Sequence, residues 1–448
     1  MIGHALLDPV TADPTAAATV VRHAPGVSAS GWSERGWRER AIRCVRVRSE
    51  EDIVAAVRAA RESGVTVRGR GSLGSKSECY ATGGLALRLD AYDRVVAVDG
   101  HRVTAQAGVT VAALNAVLRG HGLVLPTQGE WLGATVAGAV ATGVHGGSLA
   151  HGILPTSVAG MRLITADGGA LDVQRGTELF DHTAVSLGAL GITSTITFEC
   201  VKTFHLELVA RVVSFAQYQR EHAAAARDNE FYSATWIPTA RRVITYAASR
   251  VPSPVTPVPR RERYSLATLV LSALSRRLDV HAIPRRWFER VAVDAADRIL
   301  SPIGSGSRQV RLLQALTRHW REAEFAVPLD AAGETLEALD ALCARHPRVL
   351  TLPIGLRPSA PDGCSLSPCF GRPTFWVTVF FRDRDGFGDE LRSLFAARGA
   401  RMHWGKHLEL PPEHLRRQYP RWSAFRDARR ALDPDGLFAN AFTRRLGL

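Results

Sequence analysis

Residues 133–152 read Gly-Ala-Thr-Val-Ala-Gly-Ala-Val-Ala-Thr-Gly-Val-His-Gly-Gly-Ser-Leu-Ala-His-Gly. Small side chains fill nearly every position, so another group can approach this backbone closely. Gly138, Gly143, Gly146 and Gly147 carry no Cβ that would block a ligand. One polar ring, His145, stands among them. A stretch that could have been filled with Leu and Ile has been left open. The expected occupant is large and flat, and bears phosphates.

A second glycine loop lies upstream. Gly69-Arg-Gly71-Ser-Leu-Gly74 has the letters of a dinucleotide fingerprint, with Asp90 downstream. Its context contradicts that assignment. A Rossmann loop opens directly into the helix whose N-terminus holds the pyrophosphate. Here Ser75–Gly84 has no helical period and contains two more glycines. The loop is expected to wrap an anion with successive backbone N–H groups and return to a strand.

The 448 residues are 46% apolar and 22% charged, which suits a globular protein of about two domains. The net charge of +13 comes almost wholly from arginine, the lysines being Lys76, Lys202 and Lys406. These charges are scattered, and no zinc-finger, RRM or helix-turn-helix pattern accompanies them, so nucleic acid is not an expected partner. Six dispersed cysteines without Cys-x-x-Cys spacing call for no metal site. They are expected as free thiols in a reducing compartment. The first residues lack a secretory pattern. The longest apolar run, near Leu266–Leu274, is too short to cross a bilayer, so a cytoplasmic protein with no membrane span is expected.

Local signals outline the elements. Ser49 precedes three acidic residues and a stripe of Ile53, Val54, Val57 and Ala60, which predicts a capped helix ended by Gly64. Strands are predicted at 65–68, 85–89, 95–98, 103–107 and 193–198, and a helix begins at Thr110. Met161–Thr165 and Ala170–Val173 read as a hairpin around Asp167-Gly-Gly169. Texture changes after about residue 203. Residues 251–263 are Pro-rich and are expected as an exposed connection. Strands near 323–328, 348–354 and 374–381 alternate with helices at 330–345 and 385–398, which predicts a sheet with helices on one face. The last thirty residues read as helical.

Taken together these segments resemble a known family. The loop at 69–75, Val109-Thr-Val-Ala-Ala-Leu, Val136–Gly146, Leu163-Ile-Thr-Ala-Asp-Gly168 and Leu187-Gly-Ala-Leu-Gly-Ile-Thr193 look like FAD-linked oxidases of the vanillyl-alcohol oxidase superfamily. In the C-terminal half, Glu324-Phe-Ala-Val-Pro, Leu366–Arg372, His403-Trp-Gly-Lys406, Tyr419-Pro-Arg-Trp422 and Leu432–Asn440 resemble the aldonolactone and alditol oxidases. The likeness covers most of 40–203 and 320–448 and is poor between. It implies an α+β, two-domain flavoprotein of the PCMH type. An FAD-binding domain would span 1–203, completed by 416–448, and a substrate-covering α+β cap would span 204–415.

By resemblance, Gly69, Arg70, Gly71, Ser72, Leu73, Gly74 and Ser75 would hold FAD together with Gly138, Thr142, Gly143, His145 and Gly146. Gly191, Ile192 and Asn440 complete that expected set. Many relatives bond the flavin to a histidine in the upstream loop. Here Ser72 stands at that place, so non-covalent FAD is expected. Cys79 is nearby but reads better as a small apolar filler.

The implied reaction is oxidation of a hydroxyl on a sugar, polyol or aldonolactone-like substrate, with hydride passing to flavin N5. Oxygen or another acceptor would reoxidise the flavin. Lys406 matches the family's substrate-side lysine, and a lysine desolvated by flavin and an apolar wall is expected to fall in pKa and take the hydroxyl proton. Arg357 would stabilise alkoxide or reduced flavin, and His403 would join Arg357 and Lys406 around the substrate. His145 is read equally as a catalytic group or a satisfied structural histidine. Alditol oxidases carry a glutamate two residues before the arginine, where this chain has Gly355, which points to a different or bulkier alcohol. Two alternatives remain: a decaprenylphosphoryl-ribose-oxidase-like enzyme that forms a keto-sugar, or a flavin-free binding protein on the same fold.

Overall fold

The computed structural model describes residues 43–252, 321–350 and 352–448. Most of the Pro-rich connection and the apolar run at 266–274 lie outside them. The N-terminal half holds two main sheets. Strands β1 (Arg43–Arg46), β2 (Val67–Arg70) and β3 (Leu85–Arg88) form a parallel sheet in the order β1-β3-β2. Helix α1 (Glu50–Glu62) starts where the Ser49 side chain accepts from the Asp52 N–H, and it buries Ile53, Ala56, Val57 and Ala60. The β2 strand begins two residues later than the sequence predicts. Gly64 (φ +62) and the Val65 N–H, bonded to Ala60 O, are still closing the end of α1.

A five-stranded sheet follows, built from β4 (Val95–Asp99), β5 (Arg102–Gln106), β7 (Val158–Ile164), β8 (Ala170–Gln174) and β9 (Ile192–Glu199) in the order β4-β5-β9-β7-β8. Ile192, Ser194, Ile196 and Phe198 alternate inward along β9, as a half-buried strand requires. Helix α2 (Val111–Gly120), strand β6 (Leu123–Val124) and helix α3 (Val136–Ala141) connect β5 to β7. The small-residue run thus makes only a six-residue helix, capped by Thr135 and ended by Gly143 at φ +69. After α4 (Glu178–Thr183), β10 (Val201–Lys202) pairs with β6.

The second unit is a seven-stranded sheet. Its strands are β11 (His205–Ser214), β12 (Phe231–Ile237), β13 (Arg242–Val251), β14 (Arg321–Pro328), β15 (Ile354–Ser359), β16 (Thr374–Phe381) and β17 (Arg401–Met402), in the order β11-β13-β12-β15-β16-β14-β17. Helices α5 (Phe215–Asp228), α6 (Ala332–Arg345) and α7 (Phe387–Ala396) cover one face. There Phe215 stacks on Trp236 at 4.5 Å and Phe325 on Phe395 at 4.3 Å. The strand predicted at 348–354 lies instead at 354–359. The Val349 N–H closes a turn on His346 O, and Pro353 has no N–H to give a ladder. This correction puts Arg357 inside the sheet.

The chain ends in α8 (Pro412–Gln418), α9 (Trp422–Leu432) and α10 (Ala441–Leu446). The tail is not continuously helical. Asp433 is fully buried and accepts from the Leu437 and Phe438 N–H groups, which forces a turn between α9 and α10. That turn returns to the first unit: Val67 N–H donates to Leu437 O, and the buried Arg68 guanidinium donates to Phe438 O and Gly188 O.

Candidate active site

The two glycine segments meet. A Cβ on Gly71 would lie 2.2 Å from Thr135 Oγ1, and one on Gly74 would lie 1.6 Å from the Trp131 ring. No other residue fits either place without moving its neighbour. Leu73 takes a left-handed conformation at φ +54, so the loop bends sharply between the two glycines. Among the described residues, the N–H groups of Ser72, Leu73, Gly74 and Ser75 make no hydrogen bond to a protein acceptor. A row of open backbone donors beside a close-approach surface fits a pyrophosphate.

The other expected cofactor residues divide into two groups. Gly69 and Arg70 end β2, and Ile192 Cγ2 lies 3.9 Å from where a Gly69 Cβ would be, which brings the start of β9 and Gly191 to the same loop. Gly138 lies in α3 and Thr142 ends it, the Thr142 hydroxyl donating to Gly138 O at 2.8 Å. Gly146 packs on Thr127 and Gln128. Asn440 serves another purpose than the one expected. Its buried amide donates to the carbonyls of Glu78, Cys79 and Ala81, and its oxygen caps α10. It positions the end of the glycine loop, and its polar atoms are consumed in doing so.

The candidate reacting groups stand on the face of the seven-stranded sheet that its helices leave open. Glu324 pairs with Thr378, Thr378 with Gly355 and Gly355 with Thr235, so these four share one row and one face. Glu322 and Arg357 lie two positions along on their strands and share that face. From the first unit, the His145 ring stacks on Trp376 at 3.7 Å and 7°. The chain after His145 is stitched to the sheet by Tyr232 N–H to Gly147 O and Ser148 N–H to Pro358 O. On the other side, Ser77 Oγ donates to Trp404 O and Lys76 N–H to Gly405 O, pinning the His403–Lys406 segment to the exit of the glycine loop.

Charge is concentrated here. The Lys406 ammonium donates to Glu322 Oε1 and lies 3.7 Å from Glu324 Oε2. Glu324 also accepts from Thr378 Oγ1 at 2.7 Å and faces His145 Nε2 at 3.2 Å. Burial works against the Glu324 carboxylate, but His145 and Lys406 outweigh it and hold it well below its ordinary pKa. Burial alone would pull Lys406 down. Glu322 and Glu324 reverse this and raise it. The expectation of a depressed lysine is therefore corrected: the sequence showed the apolar surroundings but not the two carboxylates. Lys76, missed at first, is the depressed lysine, lowered to about 8 by burial with Lys406 beside it.

Arg357 pairs with Glu130, which reaches across from the first unit. Burial opposes its charge, yet Glu130, Glu324 and Glu322 raise its pKa. The Arg357 charge is thus met by a carboxylate from another segment. His403 is driven down to about 3 by burial and stays neutral. Its Nδ1 accepts from the Gly405 N–H, so the proton sits on Nε2. His145, Glu324 and His403 converge closely enough to suggest a cation site. The His403 tautomer and the Lys406 ammonium already satisfy that cluster with protons.

A cavity of about 460 Å³ opens between the sheet and the segment 124–130, with His145, Glu130 and Arg357 on its wall. Glu322, Glu324 and Glu130 are the charged members of this cluster that sequence reading did not single out. The alternating Glu-Ala-Glu ahead of Phe-Ala-Val-Pro was the available signal, since alternate strand positions share a face.

Comparison with known proteins agrees with this geometry. Residues 41–174 match the family described as FAD binding domain, and 196–446 match that described as D-arabinono-1,4-lactone oxidase. The chain belongs to the D-arabinono-1,4-lactone oxidase family. It is 29% identical to L-gulono-1,4-lactone dehydrogenase of Mycobacterium tuberculosis, over 90% of this chain and 95% of that one. It is 31% identical to alditol oxidase of a Streptomyces species, over 81% of this chain and 86% of that one. A solvent-stable cholesterol oxidase shares the fold, with a TM-score of 0.71 at 15% identity, covering 91% of this chain and 95% of that chain. The protein is an FAD-dependent oxidoreductase acting on CH–OH groups. No helix among the described residues is long and apolar enough to cross a membrane.

Proposed function

We propose that Glu322 and Lys406 act as one unit that takes the hydroxyl proton while the carbon beneath it is oxidised. The observation that carries this is the Glu322–Lys406–Glu324 cluster, set on the same sheet face as Arg357 and opposite the glycine loops. Bound FAD supplies the hydride acceptor at N5, and every remaining task falls to the chain. Lys406, kept as an ammonium, donates to the substrate oxygen and holds it in place. The proton then leaves to the Glu322 carboxylate, which Lys406 already touches. Arg357 adds fixed positive charge where the oxygen becomes negative. His403, held neutral, contributes a Nε2–H donor. Alditols and aldonolactones, the compounds for which the relatives are named, are the first classes to try.

FAD is held without a covalent bond, because Ser72 is exposed and offers no imidazole. In this reading residues 1–203 with 416–448 form the FAD unit and 204–415 the cap. The enzyme works in the cytoplasm, with oxygen or another small acceptor closing the cycle.

Anaerobic titration of the yellow protein with a panel of alditols and aldonolactones tests the reading. At least one should bleach the flavin, and Lys406→Met should stop bleaching while FAD stays bound. Bleaching at an unchanged rate in that variant would overturn the role of the pair. Acid precipitation should leave the colour in the supernatant; colour in the pellet would refute non-covalent binding.

A further inference from the structure

The cavity beside Arg357 is polar at one end and apolar at the other. From Arg357 on β15 the same sheet face continues over β12, β13 and β11. Phe231 pairs with Ala248 and Ala248 with Leu208, while Ser233 pairs with Tyr246 and Tyr246 with Ala210. Phe231, Tyr246, Ala248, Leu206 and Leu208 line the cavity. Phe204 closes that end, stacked at 6.3 Å on Phe231. Three strand steps separate β15 from β11, about 14 Å at the usual spacing. Beyond Arg357 the cavity wall on these strands is mostly hydrocarbon, with Arg250 lying over the outer ring of Phe204 at 4.0 Å and paired to Glu230.

A further observation makes this a lane. At the far end, Leu206 and Leu208 leave 45% and 49% of their surface exposed although they line the cavity. Val209 and Val212 on the same edge strand are as exposed, so what sets Leu206 and Leu208 apart is that they line the cavity. A small, fully hydroxylated substrate would touch none of this surface and would leave it wet.

We propose that the alcohol oxidised here carries an alkyl chain that lies over Tyr246, Ala248, Phe231, Leu208 and Leu206 while its hydroxyl head reaches Arg357. This rests on the proposed oxidation chemistry but adds the class of substrate: an amphiphilic polyol or glycoside. No group is transferred to the tail, which contributes binding and orientation only.

The test uses the FAD-loaded enzyme and 1-O-alkylglycerols with methyl, butyl and octyl chains, kept below their micelle concentrations. Dissociation constants come from the perturbation of the flavin spectrum, and bleaching is followed separately without oxygen. Each methylene removed from water is worth about a fourfold gain, so octyl should bind at least about a hundredfold tighter than methyl. Leu208→Asp, at a half-exposed position, should flatten the series. Equal constants for all three chains in the natural protein would overturn the proposal, and so would a slope that Leu208→Asp leaves unchanged. Tightening with chain length but no bleaching would support the lane and count against a polyol head. Equal binding with bleaching would do the reverse.

Discussion

Replacing Glu322 with glutamine keeps the size of the side chain and removes one charge, and its effect on Lys406 can be estimated from the structure. Two unit charges 4 Å apart, at the effective dielectric near a protein surface, interact by about 4 kcal/mol. Glu322 is the nearer of the two carboxylates and the larger cause of the rise at Lys406. Lys406 keeps 23% of its side chain exposed, which trims the figure, and Glu324 at 3.7 Å remains after the substitution. The Lys406 pKa should fall in Glu322→Gln, and only in part, because Glu324 remains. Lys76, also held up by Glu322, should drop below its value of about 8. The chain's short roster of lysines makes this measurable. With ε-¹³C-lysine only Lys76, Lys202 and Lys406 contribute signals, and Lys→Arg variants assign them. In the natural protein Lys406 should titrate above an ordinary lysine. A resonance that titrates below it, or one that does not move in Glu322→Gln, would refute the reasoning. Flavin reduction by substrate should also slow by about a hundredfold or more in that variant, with FAD retained, as expected when a general base is lost.

Three other outcomes follow from separate contacts. His403 is held neutral to about pH 3, whereas in the unfolded chain it titrates near 6.5, so the unfolded state binds more protons between those values. Stability should therefore fall as pH drops through that window, by up to about 1.4 kcal/mol per unit. His403→Gln should flatten the slope in urea titrations at pH 7, 6 and 5, and an equal slope would refute the assignment. Gly74→Ala places a methyl inside the Trp131 ring, so FAD binding should weaken about tenfold, with partial recovery in the double variant with Trp131→Ala. Equal affinity by equilibrium dialysis would show that the loop tolerates the shift. Asn440→Ala strands three carbonyls and uncaps α10, and should cost about 2–4 kcal/mol. An unchanged melting temperature would remove Asn440 from the account.

The glycine segments were legible because their information is local. Gly71 and Gly74 are required by neighbours within reach of the loop itself, and a run of small residues announces close approach before any fold is known. The hairpin at 158–174 and the capped helices α1 and α2 were legible for the same reason: Ser49, Thr110 and Asp167 act within four residues of themselves. The strand containing Arg357 was misplaced because Val349, Leu350 and Leu352 on one side of Pro353 look as strand-like as Ile354 and Leu356 on the other, and only pairing with β16 sets the register. The end of α1 was misread on a smaller scale, where one helix-closing bond to Val65 delayed the start of β2.

Electrostatics was the least legible layer, and Lys406 shows why. Its sequence neighbours are Gly405, His407 and Trp404, all consistent with a desolvated amine of low pKa. The groups that decide its charge are Glu322 and Glu324, more than eighty residues upstream on β14. Arg357 behaves likewise, its partner Glu130 lying 227 positions away. Read alone, Gly355 removes a carboxylate from beside Arg357, and only the fold shows that Glu130 stands against that guanidinium instead.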